Sequence, residues 1–240
     1  QARNERDQGL RRLLGVESGF SDANTWLWMA WQPLARWSPL PKLPAGSWHA
    51  GGVALPQQTS PQGGTWVQLP RQRGLCSVVL ARGAAEAGGM APRNPVSVER
   101  LSTEIWRVSN GLVTFECSSL GLLQLRDARG FDQLSAPLRP FRYRDRGEFW
   151  DAWDIASDYR EHPLAIKPVG AVQLLESGPL VAQLVVRYLL GISAMRLDLR
   201  LKADCPWLEL IVSVDWRQRH ELLRLELPLA SPAMRLAADT

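Results

Sequence analysis

Apolar and polar residues alternate with a period of two through much of the second half of the chain. Leu197, Leu199 and Leu201 alternate with Asp198, Arg200 and Lys202, and Leu223, Leu225, Leu227 and Leu229 alternate with Arg224, Glu226 and Pro228. A period of two sends successive side chains to opposite faces of a strand. The pattern predicts strands over 169–175, 181–190, 193–202, 207–216 and 222–229. Upstream, a strand over 105–108 runs into Asn110-Gly111, a two-residue hairpin signal, with 112–117 as the returning strand. A further strand over 121–127 follows another turn. Strands of this length joined by short turns predict a mainly β fold, a large antiparallel β-sandwich. No βαβ unit and no internal repeat is seen.

The first 95 residues read differently. Leu10, Leu13 and Leu14 fall at helical spacing over 1–14, and Gly15 is placed to end that helix. Residues 16–25 read as a loop. From 26 to 90, short strands are predicted around Trp26 and Trp28, over 48–55, over 66–70 and over 75–80, punctuated by Pro33, Pro39, Pro41 and Pro44. So many prolines argue against long helices. The expected organisation is a helical linker over 1–22, a small β-domain over 23–95 and the first part of a large sandwich domain over 96–240. The chain opens on Gln1 inside a helix rather than on Met, so it reads as a piece of a longer polypeptide.

Composition narrows the function classes. The 240 residues are 45% hydrophobic and 22% charged, which fits ordinary globular domains. The net charge of +4 rests almost wholly on arginines interspersed with acids, as in Arg142, Arg144, Asp145 and Arg146. Nucleic-acid binding would call for a concentrated basic stripe, so no nucleic-acid partner is expected. No apolar run reaches the roughly 18–20 residues of a membrane span, and no secretory signal is recognised. Cys76, Cys117 and Cys205 are odd in number and widely spaced, with no CxxC, which points to a reduced, cytoplasmic setting and to no metal site. Eleven tryptophans against five phenylalanines and three tyrosines is an unusual ratio. Tryptophan serves both sugar stacking and sandwich cores, and the core reading is preferred.

Two dense words stand out. The first is Phe149-Trp150-Asp151-Ala152-Trp153-Asp154-Ile155, with Tyr159 behind it; the second is Val214-Asp215-Trp216-Arg217-Gln218-Arg219-His220-Glu221-Leu222-Leu223. Asp151 and Asp154 invite comparison with a glycosidase pair, whose carboxyl groups stand about 5–5.5 Å apart in retaining enzymes. Among tryptophans and isoleucine they read better as acceptors for buried donors, and no residue is assigned as catalytic. Asp215, Arg217, Arg219 and His220 read as an ion-paired structural turn or interface. One His beside one Asp lacks the further ligands that zinc requires. A mutarotase-type reaction needs a general acid and base, and His49, His162 and His220 show no such arrangement.

Taken in order, Asn110-Gly111, Leu125-Arg126-Asp127, Asp151 to Ile155, Glu176-Ser177-Gly178-Pro179 and Val214 to Leu223 resemble the C-terminal portion of glycoside hydrolase family 38, the zinc-dependent α-mannosidases. The likeness is best over roughly 104–230. Residues 67–70, Val-Gln-Leu-Pro, and the strand after Gly74 resemble the smaller β-domain that precedes it. The resemblance implies a galactose-mutarotase-like sandwich supporting an upstream catalytic domain of the same polypeptide. That domain would carry the nucleophile and the zinc, and it would act on α-mannosides. It further implies that Trp150, Asp151, Trp153 and Asp154 lie on a loop able to wall the sugar pocket. A stand-alone carbohydrate-binding module is the alternative. If the sandwich is incomplete at Thr240, open strand edges favour a homo-oligomer.

Overall fold

The computed structural model describes residues 24–32, 37–85, 89–147 and 154–231. The helix expected over 1–14 and the candidate residues Trp150, Asp151 and Trp153 lie outside them. The described residues form an almost purely β, antiparallel structure. The chain divides into two compact units, one of residues 1–95 completed by Gly178–Val181 and Lys202–Cys205, the other of the remainder.

The first unit carries β1 (Thr25–Gln32), β2 (Lys42–Leu43), β3 (Trp48–Ala50), β4 (Val53–Ala54), β5 (Gln57–Thr59), β6 (Thr65–Val67) and β7 (Gly74–Arg82). They form two sheets, in the orders β1-β7-β3-β4 and β2-β6-β5. The expected single strand over 48–55 is in fact the hairpin β3-β4. Gly51 and Gly52 take φ of +55° and +77°, a left-handed pair that reverses the chain where L side chains are disfavoured. Leu43, Trp48, Leu55, Val67, Leu69, Val78 and Leu80 form the core of this unit, with Trp28 and Ala50 packed against it. Burying each such side chain contributes about 1.5–3 kcal/mol. Trp48 is anchored at both ends: its indole N–H donates to the Pro44 carbonyl (3.0 Å), and its backbone N–H donates to Gln57 Oε1 (2.9 Å).

Two polar side chains complete this unit. Gln58 acts as a substitute peptide group. Its Oε1 accepts from the N–H of Leu180 and of Val181, each at 2.8 Å, while its Nε2 donates to the Val181 carbonyl at 3.0 Å. Asp204 is completely buried. It accepts from the Ser38 N–H (2.8 Å), from Asn94 Nδ2 (2.8 Å) and from both Nε (2.7 Å) and a terminal nitrogen of Arg71. Burial works against its ionisation, but donation from Arg71, Ser38 and Asn94 outweighs it and holds the carboxyl below the usual carboxylate range.

The second unit carries β8 (Ser97–Arg100), β9 (Trp106–Ser109), β10 (Val113–Ser118), β11 (Gly121–Asp127), β12 (Arg139–Arg144), β13 (Pro163–Leu164), β14 (Lys167–Pro168), β15 (Gln173–Ser177), β16 (Val181–Leu190), β17 (Ser193–Lys202), β18 (Glu209–Asp215) and β19 (Glu221–Glu226). The ends of β16 and β17 belong to segments grouped with the first unit. The sheets run β11-β10-β9-β8, β13-β12-β19 and β14-β16-β17-β18, with β15 also paired to β16. This is the antiparallel β-sandwich that the alternation predicts. Its inner face includes Val108, Phe115, Cys117, Leu122, Leu184, Leu197, Leu199 and Leu201, all completely buried. Burial pushes the Cys117 thiol up to about 12, so it stays protonated and unreactive.

Two local expectations are corrected, and one polar position of a strand is buried. The hairpin loop after β9 is shifted by one residue. The N–H of Asn110 bonds the carbonyl of Val113 (3.1 Å), so Gly111-Leu112 is the loop, and Asn110 Oδ1 instead accepts from the N–H of Leu112 and of Val113. Short polar side chains compete in this way for nearby backbone donors. Of the strand expected over 169–175 only residues 173–175 are strand, the start of β15; β14 ends before it at Pro168, and left-handed Gly170 (φ +69°) lies between the two. Within β15 a register shift between Leu174 and Glu176 leaves Leu175 as a bulge and turns Glu176 inward, 1% exposed. Finally, Asp198, on the face opposite Leu197 and Leu199, is buried as well. It accepts from Gln183 (2.6 Å) and from Arg196 (2.7 and 2.6 Å).

Candidate functional site

β12 and β19 pair in register from Arg139↔Glu226 to Arg144↔Glu221, and β13 flanks β12 on the other side. The segments that precede β13 and β19 carry the two dense sequence words. Asp145, one residue beyond β12, ties the second word to Ala156, the residue just after the first. Its backbone N–H donates to the carbonyl of His220 (2.8 Å), and its Oδ1 accepts from the N–H of Ala156 (2.9 Å). His220 bends its own turn with φ of +54°.

The segment after Asp154 is shaped mainly by its own side chains and by β12. Asp154 Oδ1 accepts from the N–H of Ile155 (2.8 Å), so this carboxylate folds back on the local backbone. Tyr159 opens a short 3-10 turn, Tyr159–Glu161, and its ring meets Tyr143 edge-on with centroids 5.1 Å apart. The guanidinium of Arg224 stands 5.3 Å from the Tyr159 ring centre, and that of Arg160 stands 5.6 Å away. His162 Nε2 lies 3.1 Å from Asp158 Oδ2, and the His162 carbonyl accepts the Arg144 N–H (2.9 Å). Arg144, Arg146, Ala156, Asp158 and His162 line an open, polar depression of about 300 Å³.

The second word is held by different means. Arg217 pairs with Asp215 through Nε (3.2 Å) and a terminal nitrogen (2.7 Å), but both side chains are well exposed, where such pairs are worth little. The stronger anchor is the Arg217 backbone N–H, which donates to the buried Ser193 Oγ at 2.7 Å. Arg219 is exposed and makes no ion pair among the described residues. A better shielded ion pair of this region is Arg142–Glu221, a two-point contact of 2.6 and 2.9 Å whose side chains are only 12% and 16% exposed. Glu221 raises the Arg142 pKa further above its already high value. Planar two-point geometry makes this the firmer clamp.

Gly191 sits at the tip between β16 and β17, with φ of +73°. A Cβ there would crowd Gln218 Nε2 and stand 2.8 Å from an Arg142 nitrogen. A methyl group there would have to displace the flexible ends of the Gln218 and Arg142 side chains. Gly191→Ala is expected to cost about 1–2 kcal/mol from the left-handed backbone. A urea titration showing a lower midpoint at unchanged slope checks this.

Of the sequence-stated candidates, Asp154 and the set Asp215, Arg217, Arg219 and His220 are described, and Asp145 ties His220 to the segment after Asp154. Sequence reading missed Asp145, Arg142 and Glu221 as members. Arg142 and Asp145 stand in the charge-mixed word Arg142 to Arg146, which looks like ordinary surface. Among the described residues no three His, Cys, Asp or Glu side chains gather as a metal-ligand set. No helix among them is long and apolar enough to cross a membrane.

No curated protein matches the chain. A family model does: the C-terminal domain of the glycosyl hydrolases of family 38 matches residues 108–240, just over half the chain. That span contains β10 to β19, Asp145 and both dense words. The chain therefore belongs to glycosyl hydrolase family 38, with residues 108–240 as its C-terminal domain.

Proposed function

We propose that this chain is the accessory β-sandwich region of a retaining, zinc-dependent α-mannosidase. The zinc and the catalytic carboxylates belong, in this reading, to a preceding domain of the same polypeptide. The observation that carries the proposal is the convergence on Asp145 of the segment after Asp154 and the turn ending in His220, within the span matched by the family. Loops gathered on a rigid scaffold are suited to meet a neighbouring domain. Trp150, Asp151, Trp153 and Asp154 then wall the mannoside pocket from outside, supplying an aromatic face and acceptors for sugar hydroxyls. Three buried cysteines outside any disulfide fit a cytoplasmic setting.

The test is hydrolysis of an aryl α-mannoside with added zinc, run on this chain and on the longer parent. Activity is expected in the parent alone. In the parent, Trp153→Ala is expected to lower kcat/KM about tenfold or more at unchanged melting temperature, as befits a positioning residue. Activity in the isolated chain would overturn the accessory role; an unchanged kcat/KM would overturn the wall. Trp207 and Trp216, 40% and 37% exposed, keep the sugar-binding module as a second reading. Micromolar binding of mannose oligosaccharides by the isolated chain would favour it.

A further inference from the structure

We infer that Asn110 is a site of spontaneous deamidation, shut while the β9–β10 hairpin is folded and opened when it unfolds. An asparagine followed by glycine is the pair most open to this reaction, because glycine has no side chain to shield its nitrogen and lets the backbone bend toward the carboxamide. Of the asparagines in the chain only Asn110 precedes a glycine.

The chemistry needs water alone. The Gly111 backbone nitrogen gives up its proton and attacks Asn110 Cγ. A bond forms between that nitrogen and Cγ, the bond from Cγ to Nδ2 breaks, and Nδ2 leaves as ammonia with the proton. Water then opens the cyclic imide. Opening at Cγ gives aspartate; opening at the backbone carbonyl gives isoaspartate, whose main chain is lengthened by a methylene. Nothing is oxidised or reduced.

The folded hairpin holds every participant away from this path. Asn110 is 2% exposed. Its Oδ1 accepts from the N–H of Leu112 (3.0 Å) and of Val113 (2.9 Å), which fixes the carboxamide over the loop. The attacking nitrogen is engaged as well: the Gly111 N–H donates to Ser109 Oγ at 3.2 Å. Ser109 Oγ is itself held 2.7 Å from Thr114 Oγ1 across the ladder, and the Asn110 N–H closes the loop on the Val113 carbonyl. Ring closure must break the first three of these bonds, so it waits for local opening. The product cannot restore the turn, because a lengthened main chain at 110 displaces the register that sets Phe115 opposite Val108. The change therefore records an unfolding event.

The test follows the peptide 108–126, which carries no other asparagine, by mass and retention time after incubation of the chain at neutral pH. Deamidation is expected to be about a hundredfold slower in native buffer than in denaturing urea, the weight of three net hydrogen bonds. Ser109→Ala, which frees the Gly111 N–H, should speed the native reaction about fivefold and leave the rate in urea unchanged. Ser109→Thr keeps an oxygen at that position and suits a strand, so it should keep the wild-type rate. Melting curves establish that both variants are folded. Equal rates for the wild-type chain in buffer and in urea, or a folded Ser109→Thr chain that reacts as fast as Ser109→Ala, would overturn the inference.

Discussion

Asp204→Ala is expected to destabilise the first unit by about 3–5 kcal/mol, the cost of removing one partner from a buried charge pair. The side chain is fully buried, and four donors converge on it. Its loss leaves the Ser38 N–H, the Asn94 amide and the Arg71 guanidinium facing a gap. Asp204 also sits at φ +58°, so the loop that presents it is specialised for this placement. The effect carries a pH signature. The carboxyl is held below its ordinary value in the folded chain, so its contribution is fully present above the unfolded pKa of about 3.9 and is lost as pH falls through the folded value. The stability gap between the wild-type chain and Asp204→Asn should therefore be constant at neutral pH and narrow below about pH 4. Urea titrations at several pH values check this; a gap that widens in acid would show that the carboxylate is not the stabilising form.

Phe115→Ala is expected to cost about 3–5 kcal/mol in the second unit, through lost transfer energy and the cavity left behind. Phe115 is completely buried in an inner strand of its four-stranded sheet, opposite Val108 on β9 and Leu125 on β10's other neighbour, β11. Ordered strands on both sides leave little freedom for collapse around the gap. Amide exchange should separate the two substitutions. Phe115→Ala should accelerate exchange first in β9 to β11, whereas Asp204→Ala should act first on the segments holding Ser38, Arg71 and Asn94. Uniform acceleration of both sets by either substitution would count against two separate cores.

Much of the sandwich could be read in the sequence because its strands carry one apolar and one polar edge. β16 and β17 coincide with the spans expected, β18 lies within its span, and β19 starts one residue before its span and ends three residues short of it. Alternation fails where both faces are covered, as at Asp198, whose charge is met by Arg196 and Gln183 rather than by water. It also fails where one residue is inserted, as at Leu175. The anchors of Asp204 left no pattern to find, since its partners lie 110, 133 and 166 residues away. The same holds for the candidate site. Its two words were visible as words, but the joint between them is Asp145, an aspartate in a run of arginines, and its clamp joins residues 79 positions apart.

The distance along the chain to Asp204 also has a meaning in time. The first unit is completed only by Gly178–Val181 and Lys202–Cys205, and Asp204 leaves the ribosome 110 residues after Asn94. At about 5–20 residues per second, that is a delay of roughly 5–20 s. During that interval Arg71, Asn94 and the Ser38 amide have been made but lack the carboxylate they will surround. The nascent small unit must wait, partly built, while much of the sandwich is still being synthesised. Its window for capture by a chaperone or cutting by a protease is therefore set by how quickly the ribosome reaches a loop that belongs to it in space but not in order.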